Sequence, residues 1–247
     1  MTSHAQQGVS LPELLIALFL ASFIMVLLMR HYINAKQQYQ YFQSKLEQRI
    51  DLQMVTELIR DSTRRAGFTP CLNIDHLKTR DQRNSRHALK SISIGPEQSL
   101  IINRMNEQFD TVIDILDPTH LLITDLSPIH RGQSILIADC YQAEVQNVEQ
   151  VKHLPNRQLL TLNQPLAFRY QPPFYLGEWL EERFFIRKSA GSKTASLFYK
   201  LHQTEELTEE VQNMSLRLNK KTFTLLKIIL GFTKGDTQTL ETMVRSP

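Results

Sequence analysis

Proline is missing between Pro12 and Pro70, and glycine is missing between Gly8 and Gly67. In a chain with 10 prolines and 8 glycines, that gap takes away both of the residues that end helices. Cysteine is scarce: Cys71 and Cys140 lie too far apart for a zinc knuckle and form no CxxC redox pair. No sign of charge dominates, since 28 basic and 25 acidic residues leave a net +3, and no global field points to nucleic acid. A Walker loop, a GxSxG elbow and an HExxH helix are all lacking, which removes the familiar catalytic signatures. The histidines at positions 4, 31, 76, 87, 120, 130, 153 and 202 have no ligand spacing. Neither a metal, a cofactor nor a catalytic residue is expected.

What is present begins with an apolar run from Leu11 to Met29, interrupted by Glu13. About 20 apolar residues span a bilayer, so the run is long enough for a membrane helix. A carboxylate within such a helix is costly, roughly 2.5–3.5 kcal/mol near its centre and less at its start. An ordinary secretory signal needs a basic start and a small-residue cleavage site after the apolar core. Residues 1–8 contain no Lys or Arg, and Arg30-His31-Tyr32-Ile33-Asn34 follows the run without an Ala-x-Ala pair. A plain anchor with one stray Glu stays open on length alone.

Gln-, Lys-, Glu- and Arg-rich sequence continues beyond the run, all acceptable helix formers. Leu46, Ile50, Met54 and Leu58 step by four, and Val55 with Ile59 widens the stripe. One helix over residues 11–66 is therefore expected, about 80 Å long at 1.5 Å per residue. Its second half should lay that stripe on a globular domain, and Gly67 and Pro70 should end it. Tyr32, Tyr39, Tyr41 and Phe42 follow the apolar run, where they suit either a membrane interface or packing against other helices.

After Pro70 the texture changes to short apolar segments cut by turn residues. Strands are expected at residues 89–94, 99–103, 120–125, 134–139, 158–162, 183–188, 196–201, 215–219 and 224–230. Ser189-Ala190-Gly191-Ser192 reads as a hairpin connection. Residues 73–87, with Lys78, Arg80, Arg83 and Arg86, read as an exposed loop. Arg60, Arg64, Arg65 and the run from Lys78 to Lys90 lack interleaved aromatics, so they read as a solvated face and DNA is not an expected partner. The fold class is α+β: a long N-terminal helix, membrane-spanning over about 11–29, feeding a β-rich head. The two cysteines are either free buried thiols or, if the head lies outside the cytoplasm, a crosslink. Closing some 70 residues would contribute roughly 4 kcal/mol.

The stretch Gly8-Val9-Ser10-Leu11-Pro12-Glu13-Leu14-Leu15 resembles the class III signal of type IV prepilins. Five further stretches resemble PilW-type minor pilins of the type IV pilus. They are Arg64-Arg65-Ala66-Gly67-Phe68-Thr69-Pro70-Cys71, Ile137-Ala138-Asp139-Cys140-Tyr141-Gln142-Ala143, the pair Phe184–Arg187 with Leu197–Lys200, and Glu206–Met214. Val9 and Pro12 depart from the commonest residues of the signal, and the tail after Leu230 matches least. The resemblance implies a leader at 1–8, a pilin helix at 9–66 and a head at 67–247. It implies cleavage between Gly8 and Val9, N-methylation of Val9, an assembly carboxylate at Glu13 and a Cys71–Cys140 disulfide. By the same resemblance the chain sits in the inner membrane, single-pass with a periplasmic head, and then enters the pilus. Implied partners are major and minor pilins, a prepilin peptidase, the inner-membrane assembly machinery and membrane lipid. Its implied work is to prime or support pilus assembly for motility, adhesion or DNA uptake. A type II secretion pseudopilin shares the N-terminal motif, and a membrane-anchored periplasmic enzyme is the alternative from another class.

Overall fold

A computed structural model of the chain describes residues 11–83, 87–188, 194–220, 224–232 and 236–244. Leu11–Arg64 is one α-helix, α1, as the run without glycine and proline requires. The chain divides into two compact units, Met1–Asp51 and Leu52–Pro247. In the first unit α1 leaves its apolar side chains exposed, from Leu11 through Met29 and on to Ile50. This helix is long and apolar enough to cross a membrane.

The second unit starts with the last turns of α1 and continues as strands. These are β1 (Lys78–Asp81), β2 (Ile92–Ile94), β3 (Leu100–Asp117), β4 (His120–Thr124), β5 (Ser134–Ala138), β6 (Gln142–Leu154) and β7 (Arg157–Leu162). They are followed by β8 (Tyr175–Lys188), β9 (Ala195–Lys200), β10 (Thr204–Thr208), β11 (Val211–Lys220), β12 (Thr224–Phe232) and β13 (Thr237–Met243). The last three form a separate antiparallel sheet in the order β11-β12-β13.

Six of the others close on themselves. The ladders β5–β6, β6–β7, β7–β4, β4–β3, β3–β8 and β8–β5 are all antiparallel and return to their start. Closure removes exposed edges around the ring. The ring is possible because β3, β6 and β8 are 18, 13 and 14 residues long and each serves different neighbours along its length. Register shifts in β3 and β6 mark where these strands turn. Ile135, Ile137, Leu160, Leu121, Ile123, Val112 and Leu176 fill one core within the ring. Strands β9 and β10 extend the sheet from the far half of β8.

A second core joins α1 to both sheets: Val55, Ile59 and Ala66 pack with Leu100, Ile102, Phe184 and Leu197 and with Leu216, Ile228 and Leu240. The expected stripe is corrected here. Leu46, Ile50 and Met54 are exposed, Leu58 is only partly buried, and the covered face is Val55, Thr56, Ile59, Ser62 and Thr63. Three of those five are polar because the face makes hydrogen bonds as well as apolar contacts. Ser62 Oγ donates to Glu182 Oε2, and Thr63 Oγ1 donates to the Ile59 carbonyl at 2.7 Å.

Glu182 is the centre of that junction. Besides Ser62, it accepts from Arg104 Nε at 2.8 Å and from the Tyr199 hydroxyl at 3.3 Å. Its side chain is 2% exposed and that of Arg104 is 9% exposed. Burial and the neighbouring Glu182 carboxylate push the Tyr199 hydroxyl up to about 12, so it stays a donor. Removing one partner of a buried ion pair strands the other charge at about 3–5 kcal/mol. Arg104→Ala should therefore lower stability by about that amount in chemical denaturation of the detergent-solubilised chain. Ser62→Ala, which removes one hydrogen-bond donor, should cost about 1–3 kcal/mol. Equal small losses in both variants would show that Glu182 does not hold the junction.

Candidate functional site

The first two residues of interest, Gly8 and Val9, lie outside the described residues. Glu13 stands in the first turn of α1, exposed, where a carboxylate complements the positive end of the helix. Around it Leu11, Leu14, Leu15 and Ile16 are all exposed. Glu13 is therefore an acidic side chain set among exposed apolar ones at the start of the helix.

At the other end of α1 the chain turns through Gly67, whose φ is +71°. A Cβ there would run into the Asn73 side chain, and the left-handed backbone also favours glycine. Asn73 Nδ2 donates to the Ala66 carbonyl at 3.0 Å, and the Ile74 amide donates to the Gly67 carbonyl at 2.9 Å. This tight turn carries Cys71 to Cys140, and the two form a disulfide with their Cα atoms 5.1 Å apart. Cys140 sits in the turn between β5 and β6, shaped by Asp139 Oδ1 accepting from the Tyr141 and Gln142 amides at 2.8 and 2.7 Å.

Residues 73–87 are not the exposed loop expected from their polar character. Ile74–His76 is a short 3-10 turn, and β1 pairs in parallel with β6, Lys78 opposite Gln142. Ile74, Leu77 and Leu89 are buried against Met105, Leu136 and Trp179, on a face of the sheet outside the ring. These apolar anchors and the disulfide are enough to override a basic, polar segment. Arg86 of that segment lies outside the described residues.

Where this cover ends, Arg83 forms ion pairs with Asp81 at 2.8 Å and with Glu181 at 2.9 Å. Burial works to raise both carboxyls, but hydrogen bonds and charge from Arg83 hold them below their ordinary values. Beside this cluster lies an open cavity of about 530 Å³, lined by Arg83, Ser134, Glu178, Glu181, Lys200 and His202 among others. His202 Nε2 is 3.9 Å from Glu178 Oε1. Ser134 Oγ donates to Asn147 Oδ1 at 2.8 Å rather than to a base. The arrangement holds charge. Among the described residues no group of three or more His, Cys, Asp or Glu side chains is placed to hold a metal ion.

Two of the three arginines around the end of α1 are engaged within the chain: Arg60 with Glu57, and Arg65 with Asp61 and, at 3.7 Å, Glu107. Sequence reasoning missed Glu144, which is fully buried on β6. It accepts from Gln146 Nε2 at 2.6 Å and from the Ala167 amide at 2.7 Å, and burial raises its carboxyl. Its setting between Ala143 and Val145 was the available signal. No protein-family model, curated protein or solved structure matches the chain.

Two outcomes follow from this geometry. Reducing the Cys71–Cys140 bond, which closes a separation of 69 residues, should lower the melting temperature of the chain. The expected loss is about 2–5 kcal/mol. An unchanged melting temperature after verified reduction would mean that the apolar anchors alone secure the cover. The second outcome is a pH dependence. Asp81 and Glu181 have lowered folded values, so their contribution is present above the ordinary values of 3.8 and 4.5 and is lost as pH falls through the lowered ones. Arg83→Met should flatten this acid limb in melting curves taken across that range. Parallel limbs for both proteins would dismiss Arg83 as the cause.

Proposed function

We propose that this chain is a minor pilin of the type IV pilus, of PilW type, which primes or supports assembly of the fibre. The observation that carries the reading is Glu13, the only acidic residue before Glu47, placed five residues after Gly8 at the head of the apolar run. Cleavage after Gly8 creates an amine at Val9, and that amine, on this or a neighbouring subunit, is the matched cation for Glu13. Opposite charges attract strongly in an apolar surrounding, and desolvation offsets much of the gain, so the pair selects register more than it adds stability. The exposed apolar length of α1 supports the reading, because such a helix needs lipid before assembly and other helices after it.

The chain is held in the inner membrane with its head in the periplasm, then moves into the fibre. A prepilin peptidase, the assembly machinery and other pilins are its partners. The disulfide fits an oxidising compartment for the head. A head with long strands, a covering segment and several surface turns repeats poorly in a tightly wound fibre, which favours a low-copy position.

Mass spectrometry of the chain from bacterial envelopes should find Val9 as the N-terminus, carrying an N-methyl group. In sheared surface filaments the chain should be far less abundant than the main subunit. Retention of Met1, or cleavage beyond Met29, would remove the prepilin reading, and abundance equal to the main subunit would remove the priming role.

A further inference from the structure

Directly opposed residues of an antiparallel pair point to the same face of the sheet. On β8 and β9 this places Arg183 beside Lys200, Phe185 beside Phe198, and Arg187 beside Ser196 on one face. The rings of Phe185 and Phe198 stack, with centroids 5.8 Å apart. The Arg183 guanidinium lies 5.3 Å from the Phe185 centroid, and that of Arg187 lies 4.7 Å from the Phe198 centroid. Both distances are within the range of a cation–π contact. The result is a short ladder of alternating cations and rings.

Among the described residues neither Arg183, Arg187 nor Lys200 takes part in an ion pair. Arg183 Nε is shielded from solvent and donates to no described acceptor. Two like charges in directly opposed positions destabilise a strand pair unless an anion lies between them. Stacking on the rings also restricts the guanidinium groups before any partner arrives, which lowers the entropy lost on binding.

We propose that this face of β8 and β9 docks an extended, acidic polypeptide segment of a partner protein. Arg183 and Arg187 are four residues apart, about 13 Å along a strand, so carboxylates at similar spacing on an extended segment meet both. Lys200 shares the first carboxylate with Arg183. Carboxylates of the chain itself flank the strip: Glu206 is opposite Phe198 on β10, and Glu178 and Glu181 line the cavity that Arg183 and Lys200 also line. A continuous polyphosphate laid along the strip would meet these negative groups. Discrete carboxylates separated by neutral residues avoid them, which favours a peptide over nucleic acid. The proposal rests on the head alone and does not depend on the pilus reading.

The test uses the full chain in a neutral detergent and a fluorescein-labelled peptide of alternating Glu and Ser, followed by anisotropy. A labelled oligothymidylate of similar length is the competing probe. Saturable peptide binding is expected, weakening as salt is raised. The double variant R183Q/R187Q should weaken it by about tenfold or more. Lys200→Gln, at an exposed position, should weaken it by about threefold, and Arg187→Lys, which keeps the charge but loses the planar stack, by a similar factor. If the double variant does not fold, as judged by its melting curve, the two single variants decide. Absence of saturable binding, wild-type affinity in folded variants, or tighter binding of the oligothymidylate than of the peptide would each overturn the proposal.

Discussion

The head is organised around one buried carboxylate. Glu182 sits on β8 where the last turns of α1, β3 and β9 converge, and it takes a hydrogen bond from each of those three elements: Ser62, Arg104 and Tyr199. An ionised group with almost no solvent contact is tolerable only when its lone pairs are occupied and a cation is at hand. Both conditions are met, and meeting them fixes the register of three elements at once. Ser62 on the inner face of α1 follows from this. Ser62 faces the head because a methyl there would leave Glu182 short of a donor.

From that junction the two faces of β8 diverge. One face points into the ring at Leu176 and into the helix-bearing core at Phe184. The other face begins under cover and ends without it. Trp179 lies beneath the segment that leaves α1, turns at Gly67 and is tied to the β5–β6 turn by the disulfide. Further along that segment, Arg83 ties it to Glu181. The disulfide and the Arg83 cluster thus tie this segment to the sheet at two points, the first covalently and the second electrostatically. The two respond to different conditions, redox state for one and acid for the other.

Much of this was legible in the sequence, and two of the failures share a cause. Gly67 ends α1 because only a residue without a side chain fits against Asn73, and the missing prolines and glycines before it announce a single helix. Most of the expected strands coincide with observed ones, since alternation or β-branched residues mark them. The strand at 142–154 escaped because Glu144 and Gln146 are buried on it, and a buried acid disguises an inward position as an outward one. The helix stripe was partly misplaced in the same way: Val55 and Ile59 are inside as expected, but so are Ser62 and Thr63, while Met54 is outside. Wherever the core uses hydrogen bonds instead of methyl groups, hydrophobic periodicity reads the wrong face. The strand Thr237–Met243 was missed because only two of its residues, Leu240 and Thr242, are buried, too few to create a pattern.

Solubility is at stake where β8 emerges from its cover. Two stacked aromatic rings on an open sheet face would normally invite association or aggregation. Here Phe198 is only 5% exposed although it joins none of the three apolar cores, and the Arg187 guanidinium lies against its ring. Arginine is well fitted to cover a ring in this way, because its planar group stacks on the face while its edge keeps hydrogen-bonding to water. The cost is a cluster of positive charge with no ion pair of its own among the described residues. A lysine-for-arginine exchange would keep the charge and lose the lid, whereas a leucine would cover the rings and leave a larger apolar patch. The combination of a solvated lid and an unbalanced charge keeps the face soluble while the chain is alone, and makes a carboxylate-bearing surface the one that can replace its water.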